Sequence, residues 1–373
     1  MIDLSDAVGF FRANFDTDPS TAIESPGRIN YIGEHTDYNG GLALPIAIDR
    51  GITVVVGDGL RGTKIRATSA GQRSIVDIDL DDLVSTTVFD GWSRYLLGGI
   101  KVLLDEGYPI RGVDISISSD LQLGSGLSSS AALLLAVVYA ITLHNDINLS
   151  RDEVVELAHR AEGQYAGANV GYLDHYAIGF AMPRRATFID FSTMSHSSCE
   201  IPFDELLVVD SNVHHSISSG GYGERRRECE RAAEILNRRF ISGASVDEVQ
   251  TIADVELRLR AMHVLEENAR VEEVRNEFSQ GKTGARMLLD SHKSLRDQFR
   301  VSCPETDLIV ESSIEAGAEG ARMVGGGFGG SCIVVGGDPS NIERVVRSKF
   351  ASGGFGPPSF FIAALDGSLK RVL

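Results

Sequence analysis

The chain has 373 residues, a formal net charge of −17 and 40 glycines, where average usage of roughly 7% predicts about 26. Such acidity repels phosphate backbones and argues against nucleic-acid binding. The longest apolar run, Ala131 to Leu143, falls short of the about 18 residues that a membrane span needs.

Leu4, Val8, Phe11 and Phe15 share one face and predict an amphipathic helix over 4–15. A loop with Pro19 and Pro26 is expected next. Leu42 to Val56 and Thr63 to Asp79 read as β-rich, with turns at Gly57–Gly62 and Ala70–Gly71. Trp92 to Glu106 is helical in pattern. Val113, Ile115 and Ile117 alternate with polar residues, which predicts a half-buried strand over 113–118. Ala131 to His144 is apolar all round and predicts a buried helix. Ser150 and Glu153 form a capping box ahead of a helix to Tyr165. Strands are expected at 186–191, 206–210, 333–336 and 360–365, and helices at 224–240, 255–278 and 306–316. Helices and strands mix without a strict βαβ rhythm, so the class is α+β with two domains, 1–185 and 186–373, joined near Pro183–Arg185.

The N-terminus has no basic segment of the signal-peptide kind. Cys199, Cys229, Cys303 and Cys332 lie far apart without a CxxC pair and read as buried free thiols of a cytoplasmic protein. The glycine excess is neither periodic nor proline-rich, so it must serve particular loops.

Three loops carry that excess. In Gly124-Ser125-Gly126-Leu127-Ser128-Ser129-Ser130, a strand precedes and a buried helix follows. Glycine lets backbone amides approach a ligand, and a helix N-terminus offers free N–H groups to a phosphate. No Walker lysine follows, and the third glycine of a dinucleotide fingerprint is missing. A plain helix cap is the bland alternative, and the composition favours the cradle. Gly325-Gly326-Gly327-Phe328-Gly329-Gly330 has too many glycines for a helix or regular strand. It is either a hairpin connection or, as favoured here, a backbone loop packed on phosphates or on the first cradle. Gly27 to Gly41 concentrates Arg28, Glu34, His35 and Asp37 among glycines, which suits a sugar-like ligand more than a solvated loop. Asp174, just past Gly171, reads on its own as either a helix cap or a base, the cap being the safer choice.

The motifs together resemble the GHMP small-molecule kinases, and within them the galactokinase family. Gly27-Arg28-Ile29-Asn30-Tyr31-Ile32-Gly33-Glu34-His35-Thr36-Asp37-Tyr38-Asn39-Gly40-Gly41 is close to that family's signature. The serine loop and Met323-Val324-Gly325-Gly326-Gly327-Phe328-Gly329-Gly330 are similar to motifs of the whole superfamily. Weaker matches lie at His215-Ser216 with Arg225-Arg226, at Ser291-His292 and at Ser302 to Glu305.

The resemblance implies an N-terminal ribosomal-protein-like domain, a C-terminal ferredoxin-like domain and a site between them. It implies transfer of the γ-phosphoryl group of MgATP to the anomeric hydroxyl of α-D-galactose. Asp174 then matches the catalytic aspartate and Arg28 the arginine beside it. Glu34, His35, Asp37, Gly171 and Tyr222 match sugar contacts. Gly124, Ser125, Gly126, Leu127, Ser128, Ser129 and Ser130 match the ATP loop, Trp92 the adenine pocket, and Ser130 with Glu162 the Mg²⁺ ligands. His175 stands where the family usually carries Gln. The expected partners are a sugar and ATP, without nucleic acid or membrane, and the chain is expected to act as a monomer. A kinase for another sugar and a non-catalytic galactose sensor are the alternatives; the intact serine loop favours an enzyme.

Overall fold

The computed structural model describes residues 1–59, 62–72, 75–86, 89, 91–121, 126–167, 170–214 and 221–373. In chain order the elements are α1 (Leu4–Asn14), β1 (Pro19–Asn30), β2 (Leu42–Ala43), β3 (Pro45–Asp58), β4 (Lys64–Ser69), β5 (Val76–Asp79), α2 (Leu80–Ser85), α3 (Ser93–Asp105), β6 (Val113–Ser119), α4 (Ser129–His144), α5 (Arg151–Gln164) and α6 (Leu173–Gly179). There follow β7 (Arg185–Asp190), β8 (Ser195–Glu200), β9 (Glu205–His214), α7 (Gly221–Ile235), α8 (Val246–Gln250), α9 (Val255–Ser279), α10 (Ala285–Ser294), α11 (Pro304–Glu315), β10 (Gly320–Met323), β11 (Gly329–Val335), α12 (Pro339–Gly353), β12 (Ser359–Ala364) and β13 (Lys370–Arg371).

The first sheet runs β13-β1-β3-β6-β4-β5, with β7 joining β2, β3 and β8. Successive side chains of a strand face opposite ways. Val54 and Val56 of β3 therefore enter the main core with α3, α4 and α5, while Val55 packs against Ala7 and Phe11 of α1. The apolar α4 is buried nearly all round, as its composition requires. Asp3 caps α1, and Ser150 with Glu153 makes the expected capping box on α5.

Two expectations change here. The stretch after α1 is a twelve-residue strand, because its prolines stand where a strand tolerates them: Pro19 at the first position and Pro26 at a bulge opposite β3. The strand at 113–119 is buried on both faces, because Val113, Ile115 and Ile117 enter the main core while α1 packs on the opposite side of the sheet. The charged position among its polar ones, Asp114, is paired within the protein. Arg66 forks onto buried Asp114, Nε to Oδ1 at 2.7 Å and Nη2 to Oδ2 at 2.5 Å.

The second sheet, β10-β11-β9-β12, is wholly antiparallel. Val209, Val264, Phe299, Ile309, Val334 and Phe350 anchor its core. Helix α9 serves both units. Its Leu257, Ala261 and Val264 lie in this core, whereas Val271, Val274 and Phe278 lie in the first. Residues midway along α9 are thereby held at the junction. Strands β7, β8 and the late β13 all pair into the first sheet. All four cysteines are free; Cys229 and Cys332 are buried, whereas Cys199 and Cys303, expected to be buried, are only partly so. Among the described residues no helix is long and apolar enough to cross a membrane.

Candidate active site

Arg28 sits on β1 just past the Pro26 bulge. The strand passes under the serine loop there: a Cβ on Gly27 would lie 2.6 Å from a Leu121 methyl and 3.0 Å from the Leu127 carbonyl oxygen. Arg28 donates from Nε and Nη2 to the same oxygen of Asp174, Oδ1, at 2.8 and 2.5 Å. Its Nη1 donates to the Gly126 carbonyl at 2.6 Å, and its backbone N–H to the Leu127 carbonyl at 3.2 Å. The Arg28 side chain is 6% exposed and that of Asp174 26%. The carboxylate is partly open, and both guanidinium contacts fall on Oδ1. Asp174 stands in the first turn of α6, whose N-cap is Tyr172; it pairs with Arg28 and does not act as the cap.

The sugar-signature residues gather beside this pair. His35 has a left-handed φ of 61° and is buried, with Nδ1 2.9 Å from the Tyr38 hydroxyl. Its ring lies 5.5 Å from Tyr222 and 4.6 Å from Phe299, centroid to centroid. Burial, reinforced by His263, lowers its pKa to about 3, so the ring is neutral at physiological pH. Asp37 packs on Gly171 so closely that a Cβ there would overlap its Oδ2. Only glycine leaves room for that carboxylate. Burial raises Asp37 to about 6, and Asp174 and Glu34 push in the same direction. Tyr222 closes this side; a Cβ on Gly326 would be 3.2 Å from its ring.

Glu34 is buried; its Oε1 accepts the Gly325 N–H at 2.7 Å and forms an ion pair with Arg322, whose Nη2 stands 3.0 Å away. Burial raises its pKa, opposed by Arg322 and Arg28.

On the nucleotide side, Gly124 and Ser125 lie outside the described residues, as do His215 and Ser216. Gly126 and Ser128 take left-handed φ of 76° and 62°. Ser128 is the N-cap of α4 but makes no capping bond, and its Oγ is buried without a hydrogen-bond partner. The N–H groups of Ser129, Ser130 and Ala131 then form the free end of a sixteen-residue helix. Gly325 faces Gly126, a Cβ on the former lying 3.8 Å from the Cα of the latter. The third glycine loop therefore packs on the first. Gly327 does not share that role. Its Cβ position is filled by the Val301 carbonyl, so this glycine serves protein packing. Gly329 and Gly330 start β11 at a register shift, so part of the loop is strand after all.

Ser130 and Glu162 stand on the packed helices α4 and α5. Glu162 is buried, with Oε2 3.1 Å from His175 Nε2. Among the described residues no three His, Cys, Asp or Glu side chains could hold a metal. One hydroxyl and one carboxylate are hard oxygen donors, the kind that Mg²⁺ takes together with substrate phosphates and water. Trp92 is the partly buried N-cap of α3 and packs against the main core.

A buried polar network behind the sugar loop was not legible beforehand. Glu267 of α9 accepts the Gly33 N–H at 3.0 Å and the Ser291 hydroxyl at 2.8 Å on Oε1, and Arg270 Nε at 2.8 Å on Oε2. Burial alone would raise Glu267, but Arg270, His263, Arg322 and Ser291 outweigh it and bring the pKa to about 2. Arg322 is wholly buried and donates from Nη1 to the Tyr31 carbonyl at 2.9 Å. The Ser291 match was the one sequence signal for this layer; charged residues on a long helix otherwise read as solvated.

Comparison with known proteins settles the family. Residues 9–58 match the galactokinase galactose-binding signature, 94–181 the GHMP kinases N terminal domain and 271–352 the GHMP kinases C terminal region. A galactokinase of Streptomyces coelicolor is 37% identical, covering 97% of each chain. The chain belongs to the galactokinase family. A galactokinase of Thermotoga neapolitana is 39% identical over 84% of this chain and 88% of its own. The crystal structure of Lactococcus lactis galactokinase complexed with galactose superposes with a TM-score of 0.92 at 31% identity, covering 99% of this chain and 100% of that one. Methanococcus jannaschii mevalonate kinase shares the fold, with a TM-score of 0.70 at 19% identity over 93% of this chain and 98% of its own. The expected two-domain α+β GHMP kinase fold and an ATP-dependent sugar kinase family are both borne out.

Proposed function

We propose that this chain transfers the γ-phosphoryl group of ATP to the anomeric hydroxyl of α-D-galactose, giving galactose 1-phosphate and ADP. The observation that carries the reading is the Arg28–Asp174 pair. Two guanidinium nitrogens lock one carboxylate oxygen, and the third holds the phosphate-loop carbonyl of Gly126. One arginine thereby sets the spacing between the group that receives the sugar hydroxyl and the loop that receives phosphate.

In this reading Asp174 Oδ2 accepts the hydrogen bond of the anomeric hydroxyl and orients it, taking its proton as the phosphorus–oxygen bond forms. Arg28 stays in place and balances the charge that develops between the two substrates. Glu34, His35, Asp37, Tyr222 and the Gly171 backbone bind the other sugar hydroxyls. Gly124 to Ser130 and the α4 N-terminus hold the phosphates, and Trp92 borders the adenine. Mg²⁺, when bound with ATP, would neutralise phosphate charge, and Ser130 and Glu162 would supply its protein ligands.

Sheet membership supports a division after Glu200, later than Pro183–Arg185, with β13 returning to the first unit. Free cysteines suit a cytoplasmic protein. A monomer is the proposed working unit, which light scattering checks. The functional test is ADP release with galactose and MgATP. Turnover that stops when galactose is omitted supports the reading; galactose binding without turnover would make the protein a sensor.

A further inference from the structure

Glu34 is held at its backbone and at its carboxylate by residues of the other half of the molecule. Its backbone N–H points to Glu267 Oε1 at 3.4 Å, and its carbonyl receives His263 Nε2 at 3.2 Å. Burial lowers His263 to about 4, so the ring is neutral and Nε2 carries the donated proton. The Glu34 carboxylate is tied to Gly325 and Arg322, and both contacts fall on Oε1. Arg322, with no exposed surface, holds the Tyr31 carbonyl through another nitrogen. Arg322 thus spans the start of the sugar loop and the acid within it.

Gly325 is also the residue of the third glycine loop that faces the phosphate loop. Its Cβ position is 3.8 Å from Gly126 Cα, and that of Gly126 is 3.7 Å from the Val324 carbonyl. The carboxylate that faces the sugar is therefore one hydrogen bond away from the loop that borders the nucleotide.

We propose that the Glu34–Gly325 hydrogen bond, with Arg322 as its positioning residue, couples the sugar site to the nucleotide site, so that galactose and ATP bind cooperatively. This rests on Glu34 being a sugar ligand. A sugar hydroxyl that fixes the carboxylate fixes Gly325 and the loop around it. Part of the ordering cost of the second ligand is then already met, and linkage makes the effect reciprocal.

The test is calorimetric titration of galactose into the full chain, with and without saturating Mg²⁺ and a non-hydrolysable ATP analogue. The expected wild-type result is at least a fivefold tightening of galactose, within the usual range of coupling factors, and the same factor for the analogue when galactose is present. Arg322→Lys keeps the charge but loses the fork that reaches both Tyr31 and Glu34; its factor should fall below twofold. No coupling in the wild type, or unchanged coupling in Arg322→Lys, overturns the proposal. Hydrogen exchange on the wild type removes any dependence on whether the variant folds. Galactose alone should slow exchange across residues 322–330 several-fold. Bound galactose with unchanged exchange there also overturns it. No galactose binding at all would sink the sugar assignment itself, and the coupling with it.

Discussion

Replacing Asp37 by Asn should make the ligand-free protein more stable above pH 6 while abolishing galactose binding. Burial, with help from Asp174 and Glu34, moves the Asp37 pKa from 3.8 to about 6. The folded state therefore holds this proton more tightly than the unfolded chain does. That contribution is fully present below pH 3.8 and is lost as pH rises through 6, after which the wild type carries an ionised carboxylate in an unfavourable place. About 2 pKa units at 1.36 kcal/mol each give about 3 kcal/mol, an upper bound because the side chain is only partly buried. Asn cannot ionise. Urea unfolding should show the variant more stable by about 1–3 kcal/mol at pH 8 and by roughly half as much at pH 5. A stability difference that does not grow between those pH values would refute the reasoning. The same ionisation should appear in the wild type as proton release on galactose binding near pH 6, because a sugar hydroxyl donates to the charged carboxylate. Calorimetry in two buffers of different ionisation enthalpy measures it.

Asp174→Asn should lose several orders of magnitude in turnover while galactose binding and the melting transition persist, as ADP release and calorimetry would show. Arg28→Lys cannot serve Asp174 and Gly126 together, so kcat should fall about 100-fold or more with a smaller change in the galactose KM. Gly171→Ala drives a methyl into the Asp37 carboxylate, so the KM for galactose should rise at least tenfold while that for ATP stays within about threefold. Gly327→Val combines a φ of 84° with a clash at the Val301 carbonyl. It should appear as lost thermal stability, and a variant of wild-type stability would show that the packing argument is wrong.

Local signals were the easiest to read. The α5 capping box, the all-apolar α4 and the apolar alternation of the strand before it follow from side-chain period and capping chemistry, which need no knowledge of neighbours. Pro19 and Pro26 misled, because a proline at a strand start or bulge is tolerated for reasons that only the partner strand reveals. The polar positions of β6 suggested a solvated face. Helix α1 covers that face instead, and Arg66, a residue 48 positions away, satisfies the buried Asp114 with its fork. The site was legible where one motif concentrates polar residues among glycines, as from Arg28 to Asp37. The supporting layer was not. Glu267, His263 and Arg270 lie on a helix that reads as exposed, and Arg322 lies in a short strand. Their function depends on α9 crossing from one core to the other, and no local pattern encodes that. The glycines divide likewise: Gly126 and Gly325 face each other at the loops, whereas Gly327 answers to protein packing alone.

The central claim is the acceptor sugar, and initial rates of ADP release across a sugar panel test it most directly. With MgATP fixed, galactose, N-acetylgalactosamine, arabinose and galacturonate should be compared at equal concentrations, with the phosphorylated position located by phosphorus NMR. The account predicts galactose among the best acceptors, with phosphate on the anomeric oxygen. A clear preference for another sugar, or phosphate on any other hydroxyl, would contradict it.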